Sequence, residues 1–125
     1  MRSSTTTLHH VSLIVSDTDK SLEFYCGILE LERVERPALD FPGAWLKVGG
    51  QQIHLLELPN PDSTENRPQH GGRDRHTAFS VQDLKRFRQR LDEAGIEYTM
   101  SRSGREALFC RDPDGNAIEL IAGGF

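Results

Sequence analysis

The chain is predicted to be an α+β protein made of two tandem copies of one β-α-β-β-β unit. Three observations carry this. His10-Val11-Ser12-Leu13-Ile14-Val15 and His76-Thr77-Ala78-Phe79-Ser80-Val81 are each a histidine opening a strand pattern, and each leads to an Asp (Asp17, Asp83) and a helical pattern. Gln51-Gln52-Ile53-His54-Leu55-Leu56 and Asn116-Ala117-Ile118-Glu119-Leu120-Ile121 close the two halves alike, with His54 and Glu119 in corresponding places. Between these landmarks, short apolar runs are separated by turn residues. A repeat of this length has to be read before any single element, because missing it misassigns the fold. The copies span residues 8–58 and 75–122, and residues 59–74 join them within a single domain of 1–125.

Residues 1–7 read as a tail. Leu8 to Val15 alternates by two, so His9, Val11, Leu13 and Val15 share one face and His10, Ser12 and Ile14 the other. Asp17 or Thr18 caps a helix from Asp19 to Leu29, with Leu22, Tyr25 and Leu29 on one stripe. Glu32 to Arg36 is a short strand stopped by Pro37. Ala38 to Gly43 is a loop, Ala44 to Val48 a strand, Gly49-Gly50 a hairpin turn, and Gln51 to Leu58 a strand. Pro59 to Asp74, rich in proline, glycine and polar residues, is a long connecting loop. The second unit repeats the order. His76 to Val81 is a strand. Asp83 caps a helix with the stripe Leu84, Phe87, Leu91, Ala94, and Gly95 lies just past its end. Ile96 to Met100 and Ala107 to Arg111 are strands, Asp112-Pro113-Asp114-Gly115-Asn116 is a turn, and Ala117 to Ala122 is the last strand.

Period two also sorts the chemistry. In four strands a potential ligand sits on the face away from the core pattern: His10, His54, His76 and Glu119. Two such sheets side by side would enclose a cavity where the four groups converge. Imidazole with carboxylate suits Zn, Ni, Fe or Mn, and the set does not select among them. Three or four protein ligands with one position left open is the arrangement of a catalytic site. A lone strand histidine is ordinarily a hydrogen-bonded structural residue. Four groups at matching positions of a repeat are not independent, and that favours metal. His9, on the core face, is read as structural, and His70 as a surface residue of the loop, with a lid residue as the alternative.

Composition narrows the classes. With 15 Lys+Arg against 19 Asp+Glu, the net charge is −4 and no basic stripe offers itself to nucleic acid. Cys26 and Cys110 form neither a disulfide framework nor a CxxC pair, which fits a reducing compartment. No apolar run nears the ~20 residues of a membrane span. The expectation is a soluble cytoplasmic protein whose partner is a small molecule, with no nucleic acid and no membrane.

The runs His10-Val11-Ser12-Leu13, Ser21-Leu22-Glu23-Phe24-Tyr25, His76-Thr77-Ala78-Phe79 and Asp112-Pro113-Asp114-Gly115-Asn116-Ala117-Ile118-Glu119-Leu120 resemble the vicinal oxygen chelate superfamily. That group includes glyoxalase I, fosfomycin-resistance thiol transferases, methylmalonyl-CoA epimerase, extradiol dioxygenases and bleomycin-resistance proteins. The resemblance implies paired βαβββ modules in an open, cupped barrel around one divalent metal ion (Zn, Ni, Mn or Fe). It implies that His10, His76 and Glu119 stand at the common ligand positions. Position 54 is where glyoxalase I-like members carry Glu or Gln, and His54 departs from that pattern. Many small members are homodimers whose sites take strands from both chains.

The implied function is a divalent-metal-dependent, glyoxalase-like lyase or isomerase. It would act on a small substrate with adjacent oxygens through a metal-stabilised enediolate-type intermediate, with Glu119 as ligand and catalytic base. A thiol transferase, an extradiol-type dioxygenase and a non-catalytic resistance protein are the alternatives. Arg73, Arg75, Arg102, Arg105 and Arg111 would favour an anionic substrate or thiol adduct over a neutral one, or else are solvated surface charges. Trp45, Phe41 and Phe109 either wall the cavity or belong to the core, and nothing marks Cys110 as a nucleophile.

Overall fold

The computed structural model of the chain describes residues 5–124, so part of the expected tail lies outside the described residues. The mixed α+β architecture is as expected. Strands β1 (His10–Val15), β2 (Glu32–Val34), β3 (Gly43–Val48) and β4 (Gln51–Glu57) form one sheet in the order β1-β4-β3-β2. Strands β5 (His76–Val81), β6 (Tyr98–Met100), β7 (Ala107–Arg111) and β8 (Ala117–Ala122) form a second in the order β5-β8-β7-β6. In each, the first strand runs parallel to the last, and the remaining pairs are antiparallel. The sheets curve but do not close into a barrel.

The register places the candidate residues equivalently. Ser12 lies beside His54 and His54 beside Trp45; Ala78 lies beside Glu119 and Glu119 beside Phe109. Apolar faces of both sheets meet one continuous core that includes Val15, Leu46, Ile53, Leu55, Leu108, Ile118 and Leu120. On the opposite faces of the edge strands β1 and β5, His10, Ser12, His76, Ala78 and Ser80 are exposed.

Both helices begin where a side chain can take a free amide hydrogen. Asp17 accepts from Lys20 N at 3.2 Å and Asp83 from Arg86 N at 3.3 Å. Helix α2 (Leu84–Glu93) buries Leu84 and Leu91 and gives way to Gly95, whose φ of +69° suits glycine. The first helix departs from expectation. The α-helical part, α1, covers only Thr18–Leu22, and Glu23–Ile28 is wound as a π-helix, closed by Leu29 N to Phe24 O at 3.0 Å. The wider winding turns both Phe24 and Tyr25 inward, at 3% and 0% exposure, which an α-helical step of 100° between neighbours does less readily.

The Asp112–Asn116 turn does more than reverse the chain. Tyr25 donates its hydroxyl to Asp112 Oδ2 at 2.6 Å, Ser16 N donates to Asp114 Oδ1 at 2.9 Å, and Asn116 Nδ2 donates to the Ile14 carbonyl at 3.2 Å. It clasps the second unit to the first. Arg90 adds to the seam by donating to the Ile28 carbonyl at 2.9 Å. Among the described residues no helix is long and apolar enough to cross a membrane.

Candidate metal centre

The second sheet brings His76 and Glu119 together. His76 Nε2 lies 3.2 Å from Glu119 Oε1, and Glu119 is 3% exposed. His76 Nδ1 lies 2.8 Å from the Asp74 carbonyl. A carbonyl only accepts, so Nδ1 carries a proton, and in the neutral ring Nε2 holds the lone pair. Nε2 therefore faces a carboxylate oxygen, and a proton or a cation belongs between the two. Donors each about 2.1 Å from a tetrahedral or octahedral ion are themselves about 3.0–3.4 Å apart, so the pair fits a divalent metal. Arg105 reaches the other carboxylate oxygen, Oε2, at 3.4 Å.

A second layer holds this pair. The Asp74 carboxylate receives Arg67 at 3.0 and 2.9 Å, Arg111 at 2.9 Å and the Arg75 amide at 2.8 Å. Burial opposes ionisation of Asp74, but these hydrogen bonds from Arg67, Arg111 and the Arg75 amide outweigh it and hold the carboxyl at about 2. The same residue thus anchors its side chain on two arginines and offers its carbonyl to His76. Arg111 and Arg67 are therefore scaffold residues.

The first sheet brings His10 and His54 together in another way. Their rings stack at 4.1 Å and 20°, and Trp45 stacks on the other face of His54 at 4.0 Å and 4°. Imidazole lone pairs lie in the ring plane, so near-parallel rings do not aim at a common point. His54 Nε2 is paired with Gln52 Oε1 at 2.8 Å. Burial, then the neighbouring His10, His9 and Arg36, push the His54 pKa below its ordinary value. His9 is exposed and pairs through Nδ1 with His10 Nδ1 at 2.7 Å, so it belongs to this group and not to the core.

Within one chain the two pairs stay separate. Among the described residues no three His, Cys, Asp or Glu gather into a metal-binding group. Two further residues belong near the second pair. Phe109 packs edge-on against His76 at 5.1 Å and against His70 at 4.9 Å. His70, expected at the surface, is 7% exposed. The cause is local: Gly71 and Gly72 let the backbone lie flat on the sheet, where a Cβ would come within 3.1 Å of Phe109 at either position. Trp45 lies against His54 and the buried Phe109 against His76, while Phe41 sits under Arg36, 5.1 Å from its guanidinium.

Comparison with known proteins agrees with this architecture. The family model of the Glyoxalase/Bleomycin resistance protein/Dioxygenase superfamily matches residues 7–120. Glyoxylase I 4 of Arabidopsis thaliana is 35% identical over 121 residues, covering 92% of this chain and 70% of its own. Glutathione transferase FosA of Serratia marcescens is 30% identical over 119 residues, covering 93% and 80%. Among solved structures, a glyoxalase-family protein of Bacillus anthracis superposes with a TM-score of 0.77 at 26% identity, over 99% of this chain and all of that one.

Proposed function

The chain belongs to the glyoxalase/bleomycin resistance protein/dioxygenase superfamily, and from that premise we propose that it is a divalent-metal-dependent lyase or isomerase of the glyoxalase type. The observation that carries the reading is the His76–Glu119 pair, Nε2 and Oε1 3.2 Å apart with the other ring nitrogen committed to a carbonyl. The proposed ligands are His10, His76 and Glu119, with His54 as a fourth that has to exchange its Gln52 bond for the ion. A bound divalent ion would supply Lewis acidity to two adjacent oxygens of a small substrate.

The chain's own residues then have defined tasks. The Asp74 carbonyl keeps the proton of His76 on Nδ1, so Nε2 stays available. Glu119 moves the proton between the substrate carbons: one oxygen faces His76, and the other faces Arg105 and can turn toward the substrate. Phe109 and Trp45 present apolar walls beside the two pairs and exclude water from the reacting centre.

The two pairs are completed by a second copy. The faces of β1 and β5 away from the core are exposed and carry His10 and His76, each beside its buried companion, His54 on β4 and Glu119 on β8. The reading is a homodimer in which His10 and His54 of one chain face His76 and Glu119 of the other. A mixing experiment tests it. His10→Ala and Glu119→Gln chains are each expected to be inactive on a hemithioacetal. Refolded together, they regain about one quarter of the sites, because each mixed dimer has one intact site and one doubly defective site. Inactive mixtures from chains that do form mixed dimers would reject the shared site. Elemental analysis of the purified protein identifies the ion, and a protein that takes up no divalent metal rejects the whole reading.

A further inference from the structure

A cavity of about 1090 Å³ runs along the β6 edge of the second sheet, lined by His70, Thr99, Arg102 and Phe109 among others. Nothing in the proposed reaction uses it. Phe109 lines it and packs edge-on against both His70 and His76. Its size is at the upper end of small-molecule pockets.

The His70 end of this cavity is built, not incidental. The ring is 7% exposed, and Nδ1 lies 2.6 Å from Thr99 Oγ1. A hydroxyl can donate to that nitrogen. The ring then carries its proton on Nε2, for which no partner is found among the described residues. Glycine at position 72 keeps that nitrogen uncovered, because a Cβ there would come within 2.9 Å of it. The field at this end is positive. Burial first, then Arg102, Arg73 and His76, push the His70 pKa down, so the ring is neutral among cations. Arg102 is exposed and makes no ion pair among the described residues. Asp92, near the C-terminal end of α2, and Glu97, just before β6, also line the cavity.

We infer that this end of the cavity is a binding subsite for an anionic group, a carboxylate or a phosphate, with His70 Nε2–H as hydrogen-bond donor and Arg102 as countercharge. The inference rests on the proposed function in one respect: it places an acidic tail on the substrate whose reacting end lies beyond Phe109 at His76 and Glu119. A guanidinium and a neutral imidazole together match an anion's charge and its acceptor geometry.

The test uses the metal-free chain and needs no turnover. Histidine imidazole and backbone signals are followed by NMR during titration with inorganic phosphate, with acetate, and with chloride as the control. The expected result is a saturable shift of His70 and Thr99 with phosphate or acetate and none with chloride. Whichever anion binds more tightly identifies the class. Arg102→Ala, at an exposed position, is expected to weaken that anion at least about fivefold, and Arg102→Lys to restore part of it. The inference fails if no saturable shift occurs, if it appears at His76 or His10 instead, or if Arg102→Ala leaves affinity unchanged. Divalent-metal uptake is measured separately. A chain that binds phosphate at His70 but takes up no metal loses the proposed reaction and keeps the subsite, and the converse result does the opposite.

Discussion

The two sheets share strand order and register, yet their corresponding positions are furnished differently. His54 and Glu119 stand in equivalent places on β4 and β8, and their register neighbours Trp45 and Phe109 are equivalent too. In the first sheet the aromatic neighbour stacks on the candidate ligand and holds it face to face with His10. In the second the aromatic neighbour leaves Glu119 free and supports His76 and His70 edge-on. The first sheet thus offers a stack of rings. The second offers an ion-ready pair, backed by a carbonyl that sets the histidine tautomer and two arginines that fix the carbonyl's residue. A duplicated fold supplies equivalent positions, and the neighbours at each position decide the chemistry.

That contrast predicts unequal ligands. Glu119→Gln should leave the circular dichroism spectrum unchanged and lower divalent-metal affinity by more than about 100-fold, since it removes a ligand rather than a supporting partner. His54→Gln should cost less than about tenfold, because His54 has to leave its stack and its Gln52 bond to coordinate. Equilibrium dialysis measures both. The reverse order would make the first sheet the anchoring half and break the comparison.

The supporting layer gives the next effect in size. Asp74→Asn keeps the carbonyl but surrenders the charge that holds Arg67 and Arg111. Metal affinity should fall roughly 10- to 100-fold, the range expected for loss of an outer partner. The 15N shifts of the His76 imidazole should move from a proton fixed on Nδ1 toward a mixture of tautomers. An unchanged tautomer together with unchanged affinity would show that His76 is oriented without the latch.

Much of this was readable in residue order. Alternation placed His10, His54, His76 and Glu119 opposite the core pattern, and burial of Ile53, Leu55, Ile118 and Leu120 agrees. Asp17 and Asp83 cap as their side chains allow. What escaped depends on contacts between distant residues or on backbone shape. His70 looked like a loop residue because burial there depends on Gly71 and Gly72 lying against Phe109, far along the chain. His9 follows the core alternation on paper, but it lies one residue before β1: its carbonyl still accepts from Gln52 N at 3.2 Å, while its ring stays exposed against His10. The Phe24-Tyr25 dipeptide is the one local hint of π winding, since two adjacent large apolar groups strain an α-helical stripe. That His54 would stack between two rings was not legible, because register, not sequence spacing, brings Trp45 beside it.

The seam asks whether the halves differ in stability as well as in chemistry. Tyr25 of the first half donates to Asp112 of the second, and Tyr25→Phe should cost about 1.5–3 kcal/mol in urea denaturation at pH 7, the range for a buried bond to a charged group. The alkaline side sharpens this. Burial, then Asp112, pushes the Cys110 thiol up to about 12, and burial, then Asp112, raises the Tyr25 hydroxyl well above 10. Both groups therefore release protons more easily when unfolded. Their contribution is whole below the unfolded values, about 9 for the thiol and 10 for the phenol, and is lost as pH climbs through the folded ones. Wild-type stability should begin to fall near pH 9. In Cys110→Ala the early fall should shrink but not vanish, because burial also raises the Cys26 thiol, and Tyr25→Phe should remove the later part. A single transition in every variant means the clasp makes both sheets unfold together. Two transitions would mean that each half keeps its own stability, so that the contrast between the sheets extends from their ligands to their folding.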